Sequence, residues 1–289
     1  MRWIGGRESG NVEDRRGGGG RGLAIGGGIG TIVIAIIVTL LGGDPSEILN
    51  GSGATSESPT MPRAGQAVGP QADDAAAQFT RRVLGSTEDT WNRVFAKDGG
   101  QYRPSTLVMF RDRTQSGCGV ASAASGPFYC PGDGKLYIDL SFYDELSRRF
   151  NAPGDFAMAY VVAHEVGHAI QDQMGIMDKV QAAQQRMSEV EANRLSVRLE
   201  LQADFLAGVW AHNAQGTDFN FEPGDVEEAL RAASSIGDDR IQKQTQGYVT
   251  PDAFTHGTAA QRVYWFSKGL KTGDINQGDT FTSREDANL

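Results

Sequence analysis

The chain has 289 residues, enough for one or two domains, and its 39% hydrophobic and 22% charged residues allow most of it to form a packed core. Its formal charge is −9, with no basic helix and no basic patch carrying interleaved aromatics. That sets nucleic acid aside as a partner, because such binding depends on neutralising phosphates.

Residues 1–22 carry five arginines against three acidic residues and read as a cytoplasmic Arg/Gly-rich segment. Leu23 to Leu41 then runs for 19 residues without a charge. At about 1.5 Å per residue it covers roughly 28 Å, close to a bilayer core. A cleaved signal peptide has a shorter apolar core and a small-residue cleavage site, and Gly42-Gly43-Asp44-Pro45 is a poor one. A twin-arginine signal fits badly too, because Arg15-Arg16 leads into Gly17 to Gly20. Residues 23–41 are therefore predicted as a single-pass transmembrane signal anchor. The first basic residue beyond it is Arg63, so the excess of positive charge places the N-terminus in the cytoplasm and the body on the outer side.

Residues 42–72, rich in Gly, Ser, Pro and Thr, read as a flexible linker, and the folded domain is predicted over 73–275 with a polar, frayed tail at 276–289. Its first helix is predicted over Ala75 to Leu84 and a second around Trp91 to Phe95. Leu107 to Arg111 suits a strand, Ser116 to Ser125 a Gly-rich loop, and Phe128 to Cys130 leads through a Pro-Gly turn to a strand at Leu136 to Ile138. Helices are predicted at Phe142 to Phe150, at Asp155 to Met174, over a long stretch from Asp178 to Ala214, and at Asp225 to Ile236 and Thr258 to Lys268. Cys118 and Cys130 suit one disulfide in an oxidising compartment, although a reduced pair would present the same sequence.

The predicted helix after Asp155 carries His164-Glu165-Val166-Gly167-His168, flanked by small and apolar residues. Two imidazoles one turn apart on one face reach a single zinc ion, and the glutamate between them takes a proton from the water at the metal. A catalytic zinc needs a third protein ligand and an open position. Glu189, Glu191, Glu200 and Asp204 are the downstream candidates. Glu200 and Asp204 share a face one turn apart among apolar neighbours, which assigns Glu200 to the metal and Asp204 to the outer nitrogen of a ligand histidine. Glu189 and Glu191 read as surface ion-pairing groups, and an ion pair with Arg194 or Arg198 is the alternative for Glu200. His212 reads as a surface histidine near a helix end.

His-Glu-x-x-His with a downstream Glu-x-x-x-Asp resembles the gluzincin metallopeptidases, and more narrowly the neutral zinc metallopeptidase family of bacterial membrane proteins. The resemblance covers nearly the whole chain: Met1-Arg2-Trp3, Asn11 to Gly17, the apolar span, Ser116 to Gly119, residues 164–171, 200–204 and Thr255 to Thr258. It implies a mainly helical α+β zincin-like fold with a small sheet, Zn2+ as cofactor, a peptide or protein substrate, and a place in a bacterial cytoplasmic membrane with the peptidase domain outside. It also implies a substrate-binding strand edge at Gly126 to Cys130, for which an ordinary hairpin is the alternative, and His256 as a donor to the oxyanion of the transition state. A loop histidine packed against a helix start is the alternative for His256; Tyr248 and Tyr264 are the other candidate donors. The Gly-x-Met-Glu-Asn segment of gluzincin aminopeptidases is absent, which favours an endopeptidase. The competing function is a non-catalytic interaction or scaffold protein that keeps the metal site; Glu165 has no use in such a protein.

Overall fold

The computed structural model describes residues 1–16 and 70–285, apart from Ile4, Arg149, Asn151, Pro153, Asp218 and Pro223. The predicted anchor at 23–41 and nearly all of the predicted linker lie outside these residues. Among the described residues no helix is long and apolar enough to cross a membrane.

The fold is α+β, as expected: a small mixed sheet against a layer of helices. In chain order come β1 (Val12–Asp14), α1 (Pro70–Lys97), β2 (Thr106–Phe110), β3 (Arg113–Ser116), β4 (Gly119–Ser122), β5 (Phe128–Cys130) and β6 (Lys135–Asp139). There follow α2 (Phe142–Arg148), α3 (Asp155–Gln173), α4 (Ile176–Gln184), α5 (Glu189–Ala214), α6 (Asp225–Ser235), α7 (Asp238–Gln246) and α8 (Ala259–Thr272). The sheet order is β1-β2-β6-β5; the first three strands are parallel and β5 runs antiparallel on one edge. β3 and β4 form a separate hairpin.

Alternation along the strands sorts their side chains onto two faces. Leu107, Met109, Leu136, Ile138 and Tyr129 join the main core with the helices. Val108, Phe110, Tyr137, Phe128 and Cys130 join a second cluster with Cys118 and Ala121 of the β3–β4 hairpin. Both faces are covered, which suits strands as continuously apolar as β2. The Cys118–Cys130 disulfide ties the turn of that hairpin to the end of β5. α3 is buried from Phe156 to Gln171 and packs against α1, α5 and α6. A helix surrounded in this way needs small and apolar residues all round, which is the composition seen beside the His-Glu-x-x-His segment.

Several elements differ from the sequence-based expectation. α1 runs unbroken through Gly85, because that glycine serves close approach: a Cβ there would lie 2.4 Å from the Arg7 carbonyl oxygen. The loop predicted at Ser116 to Ser125 contains most of the β3–β4 hairpin. The long stretch from Asp178 divides at Ser188, whose side chain accepts from the Glu191 N–H while Glu191 bonds back, starting α5 afresh. α7 was not expected. The tail is not frayed over its described part, where Thr280 is buried and bonds the Arg198 carbonyl.

The separation of residues 1–22 from the domain is corrected for the residues described. β1 is a strand of the domain's own sheet, with Leu107 N–H donating to Asn11 O at 2.9 Å and Arg15 N–H to Met109 O at 2.8 Å. Trp3 packs edge-on against Phe79, and Arg7 pairs with Glu88 at 2.7 Å and Asp89 at 2.9 Å. A strand and its sheet occupy one compartment, so a single crossing that puts the N-terminus and the body on opposite sides does not fit this fold. Arg7, Arg15 and Arg16, counted above toward orientation, are ion-paired within the folded unit.

Candidate active site

α3 and α5 bring the predicted ligands together at a backbone crossing that Gly167 permits. A Cβ on Gly167 would lie 3.1 Å from the Ala203 carbonyl oxygen, so the helix carrying the histidines closes onto the turn carrying Glu200. His164 Nε2 lies 3.1 Å and His168 Nε2 3.5 Å from Glu200 Oε2, and the three ligand atoms fall within 4.8 Å of one another. Two ligands about 2.0–2.1 Å from one ion at a tetrahedral angle stand roughly 3.3 Å apart. The donor set and its spacing therefore fit zinc. Burial raises the Glu200 carboxyl, but the charges of His168 and His256 and the hydrogen bond to His164 outweigh it and hold it well below its ordinary value.

Asp204 lies against His164. Its Oδ1 lies 2.9 Å from His164 Nδ1, and Arg262 grips it with Nε to Oδ2 at 2.8 Å and Nη2 to Oδ1 at 3.0 Å. The Tyr160 hydroxyl also donates to it. Burial opposes the ionised carboxylate, yet Arg262 and His164 hold Asp204 at about 2. Burial likewise disfavours a charged His164 ring, and the Asp204 charge and hydrogen bond outweigh it, lifting that ring to about 10.

Glu165 is nine-tenths buried and accepts the Tyr129 N–H of β5 at 2.9 Å. Burial raises its carboxyl against the pull of both histidine charges. The Tyr129 hydroxyl donates to Asp172 at 2.6 Å, two turns along the same helix, so β5 is fixed to α3 at both ends of one residue. The strand edge expected at Gly126 to Cys130 is thus β5, an edge strand of the sheet that touches the candidate base.

His256 sits before α8, which starts with a capping box between Thr258 and Gln261. Its Nδ1 lies 3.0 Å from Thr255 Oγ1 and 3.4 Å from Asp238 Oδ1. Asp238 Oδ2 accepts the backbone N–H groups of Thr255, His256 and Gly257 at 2.7, 2.6 and 3.0 Å, which shapes the loop around the ring. Burial lowers the His256 pKa, and the charges of Glu200 and Asp238 raise it further than burial lowers it. Gly257 packs on Val197 and Leu201, which flank Glu200 on α5.

The other candidates fall elsewhere. Glu189 and Glu191 are exposed in the first turn of α5, roughly 15 Å along the helix from Glu200. Arg194 pairs with Asp252 rather than Glu200. Tyr248 is exposed, the Tyr264 hydroxyl donates to Glu285, and His212 Nδ1 bonds the Leu270 carbonyl. Sequence reasoning missed Tyr160, Gln171, Asp238 and Arg262. Gln171, three residues beyond His168, and Tyr160, four before His164, carried a local signal, since each shares a helix face with a ligand.

Residues 1–281 match the family described as "Putative neutral zinc metallopeptidase". The chain belongs to this family. The uncharacterized protein YpfJ of Escherichia coli K12 is 48% identical over 290 residues, covering 97% of this chain and 99% of that protein. The uncharacterized protein Rv2575 of Mycobacterium tuberculosis H37Rv is 43% identical over 196 residues, 64% of this chain and 65% of its own length. No solved structure matches the chain. The family match begins at residue 1, so it includes β1 and the helices alike.

Proposed function

We propose that the chain is a zinc-dependent endopeptidase with Glu165 as general base. The observation that carries this reading is the convergence of His164, His168 and Glu200 on one point, with Glu165 buried beside them on the same helix. Zinc held there supplies a Lewis acid that acidifies water and polarises a peptide carbonyl. Glu165 accepts the proton from the attacking water and passes it to the departing amine. Burial raises its proton affinity toward the range useful at neutral pH. His256, held by Asp238, donates to the oxygen on which charge develops. The edge of β5 lies beside Glu165, and an extended peptide adds there as a further strand, taking over the Tyr129 N–H that Glu165 accepts.

Membrane attachment, as part of this proposal, rests on the apolar residues 23–41. Because residues 1–16 and 70–285 make one folded unit, the chain enters and leaves segment 17–69 on the same side. The Cys118–Cys130 disulfide favours the oxidising, outer side.

The test is Glu165→Gln. Zinc content should stay at wild-type level, because Glu165 is not a ligand, while peptide hydrolysis should fall by roughly 10²–10⁴-fold. His164→Ala should lose both. Wild-type hydrolysis in a zinc-loaded Glu165→Gln protein would remove the base from the mechanism and favour the non-catalytic reading.

A further inference from the structure

The two histidines differ in what holds the outer ring nitrogen. His164 has a carboxylate, an acceptor only, so its Nδ1 keeps a proton while Nε2, which faces Glu200, is the nitrogen that would give up its proton to a metal. His168 has the amide of Gln171, with Nδ1 and Oε1 2.8 Å apart. An amide could turn either end to the ring, so this contact alone leaves the tautomer open.

The rest of the network decides it. Gln171 Nε2 donates to the Leu199 carbonyl at 2.7 Å, and a backbone carbonyl only accepts. That forces Oε1 toward His168, which forces the proton onto His168 Nδ1 and leaves Nε2 free for a metal. Gln171 Nε2 also donates to Gln202 Oε1 at 3.1 Å, and Gln202 is oriented in the same way by its own bond to the Gly278 carbonyl at 2.9 Å. Gln171 is fully buried, so no water competes for these bonds. Leu199 directly precedes Glu200. One side chain therefore sets the ring of one ligand and ties down the backbone beside another.

We propose that Gln171 is a positioning residue that fixes the metal-binding tautomer of His168 and the register of the Glu200 turn, and so sets the affinity of the site for zinc. This rests on the reading of His164, His168 and Glu200 as ligands. Partners of this kind are worth about 10–100-fold in metal affinity.

The experiment measures zinc dissociation constants of the full chain by competition with a chromophoric chelator, for wild type, Gln171→Leu, Gln171→Met and Gln171→Glu. Thermal melts of each zinc-free protein run alongside. Gln171→Leu should bind zinc about 10–100-fold more weakly. Gln171→Met fills nearly the same volume without polar atoms and replaces it if the leucine variant does not fold. Gln171→Glu restores an acceptor for His168 Nδ1 but cannot donate to Leu199, so it should recover most of the affinity while melting below wild type. A purely structural role predicts that the leucine and glutamate variants weaken zinc equally, and that result, or unchanged affinity in both apolar variants, overturns the proposal. Failure of the wild type to bind zinc would instead remove the ligand assignment on which it stands.

Discussion

Asp238 and His256 meet across two elements, and neither lies near the metal helix in sequence. His256→Ala should lower kcat by roughly 10²–10³-fold, with KM and zinc content close to wild type, because the donor acts on charge that appears only in the transition state. An unchanged kcat in the folded, zinc-loaded variant would leave His256 as a packing residue. Burial raises the Asp238 pKa, but the His256 ring and the backbone amides lower it further. Its folded value is therefore depressed, so its stabilisation is present above the ordinary aspartate value of about 4 and is lost as pH falls through the lower folded value. Asp238→Asn should cost about 2 kcal/mol at pH 7 and flatten that acid limb in urea titrations. Residues that act within one helical turn were legible in the sequence: His164, Glu165 and His168, then Glu200 with Asp204. Tyr129, Arg262 and Asp238 were not, because each reaches its partner only through the tertiary fold.

At the scale of elements, α5 and α8 cross through a reciprocal pair of glycines. A Cβ on Gly208 would lie 2.1 Å from the Phe266 carbonyl oxygen, and one on Gly269 would lie 2.1 Å from that of Phe205. Both clashes are with backbone, which cannot swing aside. Gly208→Ala should therefore destabilise the protein by about 3 kcal/mol or more, although alanine is the better helix former, and chemical denaturation measures it. Because α8 carries Arg262, the same change should weaken zinc binding through Asp204. Gly208 lies inside a stretch expected to be helical and Gly269 one residue beyond the expected end at Lys268, and the contact between helices that both serve carries no periodic signal. Gly85, just past the expected end of the first helix at Leu84, sits within α1 for a similar contact, with the Arg7 carbonyl.

For the whole molecule, the decisive feature is β1. Its pairing with β2 predicts that residues on either side of segment 17–69 face one compartment. Gly10 and Gln181 are both exposed, and a Cβ on Gly10 meets nothing within 4 Å. In cells making the full chain, Gly10→Cys and Gln181→Cys, introduced one at a time, should react with a membrane-impermeant maleimide under the same conditions. Labelling of one only in intact cells and of the other only after lysis would restore a single crossing. The α+β class and most helices were legible; the membership of residues 1–16 was not, because three residues of strand beside a charged arginine run give too short an alternation to recognise. β1 also sets an order of events during synthesis. It emerges first, but β2 ends at Phe110 and β6, which flanks β2 on the other side, ends at Asp139. At about 5–20 residues per second the first strand waits roughly 6–25 s for a place in the sheet. The earliest part of the chain to be made therefore cannot dock until partners far along the chain are made, and until it does the β2 edge stands open to any other strand that reaches it.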